Sequence, residues 1–190
     1  MFPRQAKQSK NIPGLIRPAT LSIIPELPRA AGLGVRARPM TDADLLFVAA
    51  LYASTRAEEV AVTGWPIEHQ SAFLAQQHEA QHHHYRLHYS DALWLILEKD
   101  AAPVGRLYLD ERNRDVRVID ISLVPQCRGL GIGAAILRDV QDLARARKLS
   151  VSIHVEKNNP ARRLYDRLGF ILVEEKGVYD LLEWRPPPGG

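Results

Sequence analysis

Leu123, Val124, Pro125, Gln126, Cys127, Arg128, Gly129, Leu130, Gly131, Ile132, Gly133 and Ala134 form the stretch that decides the fold. A strand enters it, Pro125 ends that strand, and a helix leaves it. Glycines at 129, 131 and 133 let the backbone turn tightly and approach a ligand. The free N–H groups and the positive end of the helix then point at that ligand, an arrangement that suits a diphosphate. Dinucleotide-binding loops and P-loops use the same physics. This stretch has neither pattern, because no Lys-Ser or Lys-Thr follows the glycines and the preceding strands read as antiparallel. A turn that merely needs glycine is the bland alternative.

Downstream, Ile132, Ala135, Ile136, Val140, Leu143 and Ala144 recur at helical spacing, predicting a helix over 131–147. Ser150 to Val155 reads as a strand, and Pro160 to Leu168 as a short helix begun by proline and ended by Gly169. Ile171 to Glu183 reads as a final strand pair. Upstream, 116–124 alternates Val116, Val118, Asp120 and Ser122 against Arg117, Ile119, Ile121 and Leu123, a strand with two faces. Residues 92–98 and 104–110 read as a hairpin joined by Lys99 to Pro103. Leu33 to Arg38 is a first short strand. Thr41 with Asp44 resembles a capping box opening a helix through Ala53, Ser54 to Trp65 reads as irregular, and Pro66 starts a second helix running towards His88. The order implies a right-handed crossover with parallel pairing between the strands at 116 and 150, behind an antiparallel hairpin.

The chain has 190 residues, 46% of them hydrophobic, enough for one well-buried core. One cysteine, Cys127, excludes an internal disulfide and suits a reducing compartment, so a cytoplasmic location is the expectation. No stretch approaches the roughly 18 apolar residues of a membrane span. The pI of 9.1 invites a nucleic-acid reading. Yet residues 1–34 hold Arg4, Lys7, Lys10, Arg17 and Arg29 against Glu26, a net of +4 that leaves −1 for the remainder of a chain of +3. The basicity therefore belongs to a proline-rich leader, and nucleic-acid binding ranks last. We expect a disordered leader over 1–32, a folded domain over 33–184 and a frayed end over 185–190. A targeting peptide is an open alternative for the leader.

A second segment runs Asn158, Asn159, Pro160, Ala161, Arg162, Arg163, Leu164, Tyr165, Asp166, Arg167, Leu168, Gly169, Phe170. With both segments in order, the chain resembles the GNAT superfamily, the Gcn5-related N-acetyltransferases. Arg128, Gly131 and Gly133 match the family's Arg-x-x-Gly-x-Gly loop, and Asn158, Ala161, Tyr165, Gly169 and Phe170 match its second motif. The resemblance implies an α/β fold with a mixed, mostly antiparallel central sheet, a parallel splayed strand pair and helices on both faces. It implies acetyl-CoA as co-substrate, the acetyl group passing by direct attack in a ternary complex to a primary amine of a small molecule or protein. It further implies that the backbone at Ile121, Ser122 and Leu123 bonds the pantetheine arm, and that Gly129, Leu130, Gly131, Ile132, Gly133 and Ala134 hold the diphosphate. Arg128 adds charge nearby, and Asn158 and Ala161 lie along the cofactor arm.

Aminolysis of a thioester needs a neutral amine, a polarised carbonyl and a proton for the departing thiolate. Tyr165 stands where similar enzymes put the proton donor; the alternative is a half-buried tyrosine bonded to solvent. Several family members carry a glutamate base where this chain has Ile153. Asp120, His154 and Glu156 are the substitutes, with Asp120 as base or ammonium anchor, or else merely a capped or edge aspartate. Glu58, Glu59 and Trp65 lie in the region that closes over the acceptor in similar enzymes, and a solvated helix end explains them equally well. His78 with His82, and His84 with His88, have zinc-compatible spacing but lack an HExxH pattern or third ligand, so we expect no metal. We also expect no membrane and a monomer or homodimer. An acetyl-CoA-binding regulatory or interaction module without turnover is the competing function.

Overall fold

The computed structural model describes residues 24–187, so residues 1–23 of the leader expected over 1–32, and the last three residues, lie outside the described residues. Seven strands form one sheet in the order β1-β2-β3-β4-β5-β7-β6. They are β1 (Val35–Pro39), β2 (Leu93–Lys99), β3 (Ala102–Glu111), β4 (Asp115–Leu123), β5 (Ser150–Glu156), β6 (Ile171–Lys176) and β7 (Tyr179–Trp184). Every pairing is antiparallel except β4 with β5. The helices are α1 (Pro28–Gly32), α2 (Leu45–Ala61), α3 (Ile67–His88), α4 (Ile132–Ala146) and α5 (Arg162–Arg167). The expected mixed sheet with one parallel pair is what the chain forms.

The core lies between α4 and one sheet face. Ile132, Ile136, Leu137, Val140 and Ala144 pack with Leu107, Leu109, Val116, Val118, Val151 and Ile153 in one buried cluster. Burying a large aliphatic side chain contributes about 1.5–3 kcal/mol, which is why the apolar stripe decides where α4 lies. The other face carries Trp94, Arg106, Tyr108 and Asp120, since side chains alternate along a strand. Helix α3 covers it, with Gln81 accepting a hydrogen bond from Arg106 at 3.0 Å.

Three sequence readings need correction. The domain begins before residue 33: Leu27 and Ala30 are buried, and Arg29 N–H and Ala30 N–H donate to the buried Asp139 of α4. Pro28 does not break this short helix because it stands in its first turn, where no intrahelical N–H is needed. Ser54 to Ala61 is helix rather than irregular, because the Ser54 and Thr55 hydroxyls donate back to Leu51 O and Tyr52 O inside the helix, both at 2.7 Å. In β4, pairing jumps from Leu109↔Val118 to Tyr108↔Asp120, so Ile119 is a bulge. The bulge turns Asp120 and Ser122 onto the face of Arg117, not that of Val116 and Val118.

Candidate active site

The parallel pair opens into a fork. β4 and β5 pair from Asp115↔Ser150 to Val118↔Ile153 and no further. Beyond the bulge, Ile121, Ser122 and Leu123 remain bonded to β3, through Leu107, Arg106 and Gly105, while His154 to Glu156 stay with β7. Gly105 is needed for this: a Cβ there would lie 2.4 Å from the Ser122 carbonyl oxygen. Sequence reading passed over that glycine, and an isolated glycine inside a strand was the available signal.

At the fork's mouth the loop after β4 turns into α4. Gly129 and Gly131 have φ of +74° and +81°, values that only glycine adopts without strain, and a Cβ on either would meet nothing within 4 Å. Gly131 is the N-cap of α4 and makes no side-chain cap. The N–H groups of Ile132, Gly133 and Ala134 are thus first-turn donors at an open surface, a setting that fits an anion. Gly133 is snug rather than open, its Cβ position lying 3.7 Å from Leu164. Leu130 is exposed.

Arg128 does not stand free. Its Nε donates to Leu123 O at 2.8 Å and its Nη2 to Ser54 Oγ at 3.1 Å, so it ties the end of β4 to α2 and takes a carbonyl expected to serve the pantetheine arm. Asn158 is exposed where β5 ends. The Ala161 N–H is already used, donating to Asn159 Oδ1 at 2.8 Å, so that residue offers its methyl group, packed against the core.

Tyr165 sits on α5 at 4% exposure, its ring edge-on to Phe170 at 5.7 Å. Burial first, and the Asp120 carboxylate second, hold its phenol well above the ordinary tyrosine range. Asp120 is held by Arg106, which donates from Nε at 3.1 Å and Nη2 at 2.7 Å, and by the Ser122 hydroxyl at 2.8 Å. Both of its oxygens are engaged, which fits an oriented charge better than a base that must receive a proton. Arg106 is itself 3% exposed and was missed in the sequence, where an arginine on a strand has no distinguishing pattern.

The other substitutes are also occupied. Glu156 accepts two hydrogen bonds from Arg56 and one from the Tyr179 hydroxyl, and Arg56 above all lowers its pKa. His154 Nδ1 accepts from Arg117 at 2.6 Å, and burial followed by Arg117 pushes the imidazole down to about 4. Ile153, where a glutamate was looked for, is a core residue. On α2 and α3, Glu59 pairs with Arg56, and Trp65 is exposed with Phe73 against its edge at 5.6 Å. His78 and His82 stack at 5.9 Å and His84 and His88 at 4.1 Å, and among the described residues no group of three or more His, Cys, Asp or Glu could hold a metal. Cys127 is a free, half-buried thiol packed against the core. Among the described residues no helix is long and apolar enough to cross a membrane.

Known proteins bear on this geometry at three levels. A Bacillus subtilis protein provisionally named a ribosomal protein bS18-alanine N-acetyltransferase is 28% identical over 102 residues, covering 52% of this chain and 67% of that protein. The 5-NmdU N-acetyltransferase of Pseudomonas phage PaMx11 is 30% identical over 95 residues, 48% of this chain, and the match spans only 59% of the phage protein. Among solved structures, the PaiA N-acetyltransferase of Thermoplasma acidophilum in complex with coenzyme A superposes with a TM-score of 0.61 at 14% identity, covering 80% of this chain and 99% of that one. That likeness bears on the fold alone. The family model described as Acetyltransferase (GNAT) family matches residues 55–170, from the middle of α2 to the end of the second motif, and the chain belongs to that family.

Proposed function

We propose that this acyltransferase moves the acetyl group of acetyl-CoA onto a primary amine of a small molecule or a protein, by direct attack within a ternary complex. The observation that carries the reading is the fork between β4 and β5, with uncapped N–H groups of α4 at its mouth and Asp120 just beyond the bulge that opens it. These residues fit the co-substrate. The amides from Gly129 to Ala134 would hold the diphosphate, and the backbone of Ile121 and Ser122 the pantetheine arm. Asn158 and the Ala161 methyl group would flank that arm, and Arg128 would brace the loop. Acetyl-CoA supplies an activated acyl carbon. As the amine nitrogen bonds to that carbon and the carbon–sulfur bond breaks, Tyr165 gives its proton to the thiolate. A phenol held above its ordinary range is still protonated at neutral pH and can do so. Asp120, fixed by Arg106, orients the cleft electrostatically, and the amine proton leaves through water.

Thiol release from acetyl-CoA across a panel of amines tests this reading. Tyr165→Phe should lower turnover roughly 100- to 1,000-fold while acetyl-CoA affinity stays within about threefold; equal loss of both contradicts the acid assignment. A cofactor-binding module without turnover is favoured by one observation, the apolar Ile153 where a base was looked for. Acetyl-CoA binding with no thiol release for any amine selects that second reading.

A further inference from the structure

At the end of β4, Leu123 stands opposite Gly105, and the next residue, Val124, donates its N–H to Val104 O at 2.9 Å. Neighbouring residues of an antiparallel strand alternate in the direction of their backbone groups, so Leu123 turns its N–H and C=O away from β3 and towards the fork. β5 does not meet them there, because its pairing with β4 ends at Val118↔Ile153. A side chain of the protein meets the carbonyl instead: Arg128 Nε donates to Leu123 O at 2.8 Å.

Arg128 is held in this place by little else. Its Nη2 donates to Ser54 Oγ at 3.1 Å, with Ser54 O at 3.4 Å, and the exposed guanidinium pairs with no carboxylate among the described residues. Arg56, by contrast, grips Glu156 at the end of β5 at 2.6 and 2.9 Å. An exposed guanidinium bonded only to neutral oxygens keeps its attraction for an anion, with which it forms a stronger, charge-assisted bond. Arg128 also immediately precedes the loop in which Gly129 and Gly131, both at positive φ, lead to the uncapped start of α4.

We propose that Arg128 is a specificity-determining residue that keeps the Leu123 carbonyl closed to a pantetheine arm until a diphosphate draws the guanidinium away. The proposal rests on the acetyl-transfer reading of the same cleft. In the closed position the Arg128 Nε–H stands in for an amide N–H of the arm. A thioester that carries the diphosphate offers Arg128 a charged partner as the carbonyl is released. One that lacks it breaks the same bond and leaves the guanidinium to water. The two parts of the co-substrate are thereby coupled through one side chain, and a plain brace between β4 and α2 would not couple them.

The experiment uses calorimetry to measure binding of S-acetylpantetheine, inorganic pyrophosphate and acetyl-CoA to the wild-type protein, Arg128→Met and Ser54→Ala. In the wild-type protein, saturating pyrophosphate should tighten S-acetylpantetheine binding about fivefold, the worth of one hydrogen bond no longer in competition. Arg128→Met should bind S-acetylpantetheine about fivefold more tightly than wild type without pyrophosphate, and pyrophosphate should add nothing. Acetyl-CoA should bind that variant no more tightly than wild type, since the charged partner of the diphosphate is gone. Ser54→Ala loosens the closed position and keeps the guanidinium, so S-acetylpantetheine affinity should rise about twofold with the response to pyrophosphate retained. Equal S-acetylpantetheine affinity in wild type and a folded Arg128→Met overturns the proposal, as does weaker binding of both thioesters to that variant. S-acetylpantetheine that none of the three proteins binds, even with pyrophosphate, overturns it equally. A wild-type protein that ignores acetyl-CoA is a separate result, and it removes the parent reading too.

Discussion

Helices α4 and α3 cover opposite faces of one sheet, and the two faces are built from different side chains. Over its 15 residues α4 buries Ile132, Ala135, Ile136, Leu137, Val140 and Ala144 against aliphatic strand residues. Over 22 residues α3 buries only Leu74 and His78, and beneath it lie Arg106, Tyr108 and Asp120. The first face is held by area removed from water, so loss of one side chain leaves a void. The second is held by charges that satisfy one another, so loss of one leaves its partner stranded in a place from which water is excluded. A face of the second kind is costly to fold, and the fork lies beside it.

The largest expected effect separates the two kinds of face. Arg106→Met should lower unfolding free energy by about 3–5 kcal/mol, because Asp120 remains without its guanidinium. Arg106→Met combined with Asp120→Leu should recover most of that loss, since no uncompensated charge is left. Ile136→Ala on the α4 face should cost about 2–5 kcal/mol with no second substitution on a neighbouring polar group able to restore it. Urea unfolding of the single and double variants checks this. A double variant no more stable than Arg106→Met contradicts the account of the α3 face.

The same contrast explains what sequence reading reached. Helix α4 was legible because an apolar stripe at helical spacing has one meaning, and the glycine loop because its residue types limit the backbone to few shapes. The bulge at Ile119 was not legible. Val116, Val118, Asp120 and Ser122 share a parity that puts them on one face of any regular strand, and only pairing with Tyr108 and Leu109 reveals the extra residue. Arg106, Gln81 and Asp120 meet through long-range contact, which leaves no local pattern. Ser54 and Thr55 read as loop residues because their hydroxyls can replace backbone partners, yet here they bond back within α2. The short helix α1 was hidden by Pro28 and disclosed by Asp139, an acidic residue on the buried side of α4.

Acid stability should be set by the α3 face as well. His78 is 7% exposed, and burial, then Arg106, push its imidazole down to about 4; His154 is pushed down to about 4 too. The unfolded chain, with histidine near 6.5, binds protons that the folded one refuses. Stability is therefore fully present above about pH 6.5 and declines as pH falls towards 4, by roughly 2–3 kcal/mol for His78. Thermal midpoints should fall over that window, and His78→Phe should flatten the profile. A midpoint independent of pH between 7 and 4.5 contradicts the burial of both rings in neutral form.

The smallest effect concerns the loop that serves the α4 face, where chemistry and packing part company. Gly131 has φ of +81° and open space at its Cβ position, so Gly131→Val is opposed by backbone strain and by what must approach the loop, not by any neighbour in the protein. Acetyl-CoA affinity measured by calorimetry should fall about tenfold. The thermal midpoint should fall by only a few degrees, because the residue supports no core contact. Gly105→Val inverts the expectation: its Cβ would strike the Ser122 carbonyl oxygen, so stability should suffer before affinity can be measured. Unchanged acetyl-CoA affinity in a folded Gly131→Val protein removes the diphosphate from this loop, and with it the reason for two glycines between β4 and α4.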